Sequence, residues 1–319
     1  TVAGMMGVLV LLALLEHMGV TLHSTQIMAM EVFSVVTLAL GVGLCVARVP
    51  EPEVKLSAHA PLLPTLRFLF KNRAMVQVMG IDFTESLNQG ARGAMFFYFA
   101  RIALDLPKEA NTLLMIYFIT GVICTPLWMA LSRRIGKHRA LITAYVFGFC
   151  VAPLLFIIPA GNVWVAALVL ALSGANYGAP AFLIRSMMAD VADADTAENH
   201  AERAGLMYSF LSLTAKFGVG LSVFITFVAL SLIGFDPKVA HVPANLPEHL
   251  RIVFVALPVI LGFVSLVLTL GFPIDEAKQR TYRAEIERRR AEAQDSDVSD
   301  AAPVAPDTAP VILMKGPAE

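Results

Sequence analysis

Residues 82–92 read DFTESLNQGAR and lie between two apolar runs, AMVQVMGI and GAMFFYFA. The stretch holds the acids Asp82 and Glu85, the amides Asn88 and Gln89, and the cation Arg92. At about 100° per residue, Asp82, Glu85, Gln89 and Arg92 fall within an arc of roughly 80° on a helix, with Asn88 beside them. Along the axis they cover roughly 15 Å, half the thickness of a bilayer's hydrocarbon core. A charge at that depth costs about 2.5–3.5 kcal/mol on insertion scales, so the stripe has to face a bundle interior or a water-filled cavity. Two kinds of chemistry fit. Glu85 or Asp82 pairs with Arg92 only to neutralise itself, or the stripe lines the path of an ion or solute. The second reading also accounts for Asn88 and Gln89 and is preferred.

Three further places carry polar chemistry inside apolar sequence. In YSFLSLTAKFGVGLSVFITF, Ser209, Ser212, Lys216 and Gly220 share a helix face. A buried ammonium there can respond to a proton or neutralise an acid such as Asp82 or Glu85. In SGANYGAPAFLIR, Gly174, Gly178 and Pro180 weaken or break a helix, which would turn Asn176 and Tyr177 toward a cavity. Close packing by small residues is the equal alternative. Finally, DVADADTAENHAERAGL sets Asp190, Asp193, Asp195, Glu198 and Glu202 against Arg185 and Arg203, and faces the basic SRRIGKHR with Arg133 and Arg134. Salt bridges between these segments would hold a cytoplasmic gate, made of Arg133, Arg134, Asp190, Asp193 and Arg203, in one of two states. The acids follow no Ca²⁺-loop spacing, so no metal site is expected. Cys45, Cys124 and Cys150 lie apart in apolar sequence and read as small buried hydrophobes.

The elements that position these residues follow from composition. The chain is 57% hydrophobic and 15% charged, with a net charge of −1; a soluble domain has about 45–50% and 25%. The apolar residues come in eight blocks, about 3–22, 27–47, 75–100, 112–131, 140–159, 164–189, 206–233 and 251–272. Each is long enough to cross a bilayer as a helix, and none alternates like a barrel strand. The sequence therefore predicts an all-α polytopic membrane protein. Arg48, Lys55, Arg67, Lys71 and Arg73 follow the second block, Arg133, Arg134, Lys137 and Arg139 the fourth, and Arg283, Arg288, Arg289 and Arg290 the last. Residues 23–26 and 160–163 hold no Lys or Arg, which places both termini in the cytoplasm by the positive-inside rule. Residues 1–48 read as the last two helices of an N-terminal bundle and 49–74 as a cytoplasmic linker. Residues 75–272 form a six-helix bundle, and 273–319 a charged helix extending the last span, with a disordered tail from Gln294. Because Thr1 opens directly on apolar sequence, with no signal-peptide pattern, the chain reads as lacking its N-terminal part.

No Walker A, GxSxG, HExxH or CxxC pattern occurs, so ATP-driven pumping and familiar hydrolase chemistry find no support. The near-neutral charge offers no basis for binding nucleic acid.

The segment MMADVADADTAENHAERAGLMYSFLSLTAKFG carries a resemblance. Ala189, Asp190, Asp193, Arg203, Tyr208, Ser209, Lys216 and Gly218 are similar to the region around helices ten and eleven of the glycoside–pentoside–hexuronide:cation symporters. These form the melibiose-permease-like branch of the major facilitator superfamily. TLRFLFKNRAMVQVMG resembles the start of that family's helix seven, and PLWMALSRRIGKHRAL its loop between helices eight and nine. The resemblance implies a major-facilitator-type bundle with helices five to twelve present, and a cation site on the first four helices. It further implies Lys216 at the junction of cation and sugar sites, and Ser212 near the sugar. The chain departs from that pattern at Ala181, where a sugar-stacking aromatic would stand, at Ala204, and in the charges Asp82, Glu85 and Arg92.

These readings converge on a secondary active transporter of the inner membrane, working as a monomer by alternating access. It would carry a sugar, glycoside or related polar solute in symport with H⁺ or Na⁺, and no other cofactor. A lysolipid or other amphiphile is the alternative substrate. A membrane sensor, or an intramembrane enzyme using Asp82 and Glu85 as acid and base, is the alternative class, though no further catalytic set accompanies the pair. The expected path residues are Asp82, Glu85, Asn88, Gln89, Arg92, Asn176, Tyr177, Ser212 and Lys216.

Overall fold

The computed structural model describes residues 7, 8, 10, 11, 23–49, 70–199, 203–235 and 245–300. Most of the first apolar block, most of the linker and the tail beyond residue 300 lie outside the described residues. Helix α1 is His23–Arg48, and α2 is Arg73–Tyr98, continued by a π-helical turn over Phe99–Ala103. Then come α3 (Ala110–Ile135), α4 (Lys137–Val151), the single turn α5 (Leu154–Ile157), α6 (Val163–Ala175) and α7 (Gly178–Asn199). The series ends with α8 (Ala204–Leu232), α9 (Leu246–Leu270) and α10 (Glu276–Asp300). Among the described residues, 6 helical stretches are long and apolar enough to cross a membrane: Ile27–Arg48, Ala110–Ile135, Lys137–Ile157, Val163–Asn199, Ala204–Leu232 and Leu246–Leu270. The fold is that of an all-α polytopic membrane protein. Helix α2 has the same length but is interrupted by Asp82, Glu85 and Arg92.

Helix α2 packs against α8 and α9, α3 against α6, and α4 against α7 and α9. Two apolar clusters stabilise the bundle. One gathers Met75, Val78 and Ile81 of α2 with Leu141, Leu183, Met187 and Met207. The other gathers Met95, Phe96 and Phe99 with Leu155, Leu170, Leu250 and Phe254, the Phe99 and Phe254 rings stacked 4.0 Å apart between centroids. Between the two, α2 runs through residues 82–89, so the polar stripe is a layer sandwiched by apolar packing. Arg251 closes the far end of the second cluster, donating to the carbonyls of Ala103 at 2.8 Å and Phe156 at 3.1 Å.

The long span Val163–Asn199 is broken at Asn176 and Tyr177. The α6 end closes with the Tyr177 N–H donating to the Gly174 carbonyl at 2.8 Å. Gly174 also brings α6 against α3: a Cβ there would meet the Tyr117 backbone, with the Tyr117 carbonyl carbon at 2.8 Å. Small residues permit such close backbone approach, and overpacking costs about 1–3 kcal/mol. Gly174→Ala should therefore lower the melting temperature in detergent by several degrees. An unchanged melting curve would show that α3 and α6 can separate at no cost.

Two expectations need correcting. The charged C-terminal helix does not extend the last span. The chain leaves the helix at Gly271–Asp275, and α10 turns back to pack on α7. It is held there by Tyr282 donating to Glu198 at 2.7 Å, Arg283 to Asp193 at 3.3 Å, and Arg289 to the Ala197 carbonyl at 3.0 Å. The bond to Glu198 also raises the Tyr282 pKa. Along α10 the pairs Arg280–Glu276, Arg288–Glu285, Arg288–Glu292 and Arg289–Glu285 support the helix locally. Helix α10 also runs through Asp300, so residues 294–300 are helical rather than the start of an irregular tail.

Candidate functional site in the bundle

The stripe on α2 meets a small cavity. Glu85, Asn88, Gln89 and Arg92 line it from α2, Tyr117 from α3, and Tyr145, Gly148 and Phe149 from α4. Ser173, Asn176 and Tyr177 come from the α6–α7 break, and Pro258, Val259 and Gly262 from α9. Its volume is about 40 Å³. That admits a water or a bare ion; a drug-sized organic ligand needs about 300 Å³ or more.

Glu85 is 8% exposed and Asn88 7%. Arg92 donates from Nε to Asn88 Oδ1 at 3.0 Å. Glu85 and Arg92 form no ion pair within 4.0 Å among the described contacts, although both line the cavity. Four buried oxygens around the cavity lack a hydrogen-bond partner: Glu85 Oε2, Tyr145 OH, Ser173 Oγ and Asn176 Oδ1. Such atoms cost about 1–3 kcal/mol each when left unsatisfied. A site with this much unmet capacity is built to receive something. The break positions it, because Trp128 Nε1 donates to the Ala175 carbonyl at 2.8 Å and pins the end of α6. Tyr177 packs edge-on against Phe118 and Tyr117, with centroids 5.0 and 5.4 Å away.

The other path residues lie elsewhere. Asp82 is half-buried but does not line the cavity, and its charged neighbour is Arg185 of α7. Ser212 and Lys216 are exposed on α8, away from Glu85 and Asp82. The expected counter-ion role of Lys216 is thus corrected. Gly218, on another face of α8, is one of the residues that meet α2, its would-be Cβ lying 2.7 Å from Ser86 Cβ. That contact turns Lys216 outward.

At the Lys137 end of the bundle the acids are arranged differently from the expectation. Asp190, Asp193, Asp195 and Glu198 all belong to α7 rather than to a loop. Lys137 pairs with Asp190 at 2.5 Å and donates to the Ser186 carbonyl at 3.3 Å. Asp193 pairs with Arg283, and Asp195 with Arg203 at 3.9 Å. Arg133 and Arg134 are exposed and take no acid among the described ion pairs; Lys137, the next cation along the same segment, replaces them. The helix turn at Gly136 explains this, since α4 starts at Lys137 and directs its side chain onto α7.

A family profile described as MFS/sugar transport protein matches residues 1–276. The chain belongs to that family. It is 26% identical over 283 residues to the sodium-dependent lysophosphatidylcholine symporter 1 of Mus musculus, covering 87% of this chain and 47% of the relative. With the counterpart from Gallus gallus it shares 27% over 215 residues, 66% of this chain and 40% of the relative. With the isoprimeverose transporter of Lactiplantibacillus pentosus it shares 25% over 235 residues, 73% and 48%. The chain thus spans less than half the length of these relatives. Membership of the MFS/sugar transport family bears out the resemblance drawn from the Lys216 segment.

Sequence reading found the α2 side of the cavity but missed Tyr117, Tyr145 and Ser173. A tyrosine in an apolar helix usually sits with its ring buried and its hydroxyl at an edge. The usable signal was weak: ITAYVFGF sets Tyr145 three residues before Gly148, and LALSGANY sets Ser173 next to Gly174, each within a span.

Proposed function

We propose that the chain works within a secondary active transporter of the inner membrane, moving solute by alternating access in symport with H⁺ or Na⁺. One observation carries the reading: an intramembrane polar layer, Glu85 to Arg92, closes against a broken helix over a cavity with unmet hydrogen-bonding capacity. Broken helices and buried charges at this depth mark ion and substrate paths. No solute fits the cavity itself, so solute would contact the outward faces of α7 and α8. The α7 contacts to Lys137 and Arg283 would act as the cytoplasmic gate, with both termini on that side.

Two solute classes remain in view, a sugar or related polar solute and an amphiphile. A specific observation favours the amphiphile. Lys216 is exposed among Leu213, Phe217, Val219 and Phe224, while Arg185 is exposed on α7. An isolated cation on an apolar face suits a phosphate-bearing head with a hydrocarbon tail better than an uncharged sugar. The relatives named for lysophosphatidylcholine support the same choice. Uptake into proteoliposomes of the full-length protein tests both. Labelled lysophosphatidylcholine should enter in a Na⁺- or H⁺-dependent manner, whereas uptake of a pentose glycoside alone would reverse the choice. If neither solute moves under any cation gradient, the transport reading falls.

A further inference from the structure

We propose that the cavity between the end of α3, the start of α4, α7 and the corner into α10 binds a phosphate-bearing group. The inference goes beyond solute transport, for this cavity lies at the Lys137 end of the bundle and shares no lining residue with the Glu85 cavity. Its volume is about 330 Å³, enough for a small organic molecule. The turn that carries the chain from α9 into α10 helps to form it. Phe272 and Ile274 of that turn, with Met129, Phe182 and Met187, give the cavity its apolar lining.

The acids of the lining are engaged, while donors are left over. Asp190 is taken by Lys137, and Glu276 by Arg280 at 2.8 Å. Asp275 accepts the Lys278 N–H at 2.8 Å and so caps α10. Gln279 also lines the cavity; it is 8% exposed, and its Nε2 is buried without a hydrogen-bond partner. Leaving such a donor unmet costs about 1–3 kcal/mol. Arg133 takes no acid among the described ion pairs, and Arg283 meets Asp193 through Nε, which leaves its two Nη groups outside that contact. Helix α4 starts at Lys137 with no side-chain cap, and Lys137 and His138 of its first turn both line the cavity. A helix start of this kind presents free N–H groups and a partial positive charge. Phosphate suits these donors, because its several strong acceptor oxygens can take bonds from α3, α4 and α10 at once. A cationic ligand would have to compete for acids already engaged. The three lining carboxylates hold the affinity down, so binding is reversible. A phosphate bridging Arg133 of α3 to Arg283 of α10 would fasten α10 to the bundle, the role of an effector and not of a transported solute.

Melting of the purified full-length protein tests the site, since a ligand that binds only the folded state raises the melting temperature. Glycerol 3-phosphate is titrated in an uncharged detergent and phosphate-free buffer; separately, phosphatidylcholine nanodiscs are compared with and without phosphatidic acid. Melting should rise saturably with at least one phosphate source. A response to glycerol 3-phosphate marks a soluble ligand, and a response to phosphatidic acid alone marks a lipid head. Arg133→Ala should melt like the parent without ligand, yet need about tenfold or more ligand for the same rise. Gln279→Glu, which puts an acid in place of the free donor, should abolish the response. Arg134→Ala removes an equally exposed cation that does not line the cavity, and should respond like the parent. So should Lys216→Ala, which lies outside this lining. A parent unmoved by both sources would overturn the proposal. So would equal losses in Arg133→Ala and Arg134→Ala, which mark diffuse surface charge, or a full response in both Arg133→Ala and Gln279→Glu. Solute uptake plays no part in these measurements, so failure here leaves the transport reading standing.

Discussion

Replacing Lys137 with alanine should destabilise the α4–α7 contact by about 3–5 kcal/mol, the cost of leaving a buried carboxylate without its partner. Asp190 is only 5% exposed, and Lys137 supplies both its counter-charge and a bond to the Ser186 carbonyl. The energy lies mostly in the orphaned charge, not in the attraction. Asp190→Ala should therefore cost less than Lys137→Ala, and Lys137→Ala with Asp190→Ala should recover most of the lost stability. Melting temperatures of the four proteins in one detergent give the cycle. Additive losses would show that the two side chains are not coupled. Arg133→Ala and Arg134→Ala, exposed and outside the described ion pairs, should stay within about 0.5 kcal/mol of the parent.

The same contrast shows what could be read from the sequence. Helical periodicity correctly grouped Glu85, Asn88, Gln89 and Arg92, because residues three, four and seven apart share a face whatever surrounds the helix. It also indicated the break near Gly174 and Gly178, since glycine and proline weaken a helix locally. Periodicity does not say which neighbour a face meets. Lys216 lies on a coherent stripe with Ser212, yet the stripe points out of the bundle because α8 touches α2 on the face that holds Gly218. Asp82 belongs by angle with Glu85 but sits one turn nearer Arg185 and outside the cavity. Pairing between distant segments was the least legible. Four cations compete for α7 in the basic loop, and only the start of α4 after Gly136 selects Lys137. Likewise nothing in EAKQRTYRAEIERRR distinguishes a solvated helix from one docked by Tyr282, Arg283 and Arg289.

Lys216→Ala should leave the fold intact and remove most solute uptake. Lys216 is exposed, and among the described contacts it makes no ion pair, so its loss exposes no buried partner and melting should move by less than about 0.5 kcal/mol. A membrane-depth ammonium without an internal partner is tolerated only where it meets water, solute or another bundle. If it holds a phosphate-bearing head, its removal forfeits a charge-assisted contact of about 1.5–3 kcal/mol, or roughly 10–100-fold in apparent affinity. Lys216→Arg should retain much of the binding to an anionic head, since the charge persists with added donors. An uncharged sugar would lose far less in Lys216→Ala, so the size of the defect also discriminates the solute class.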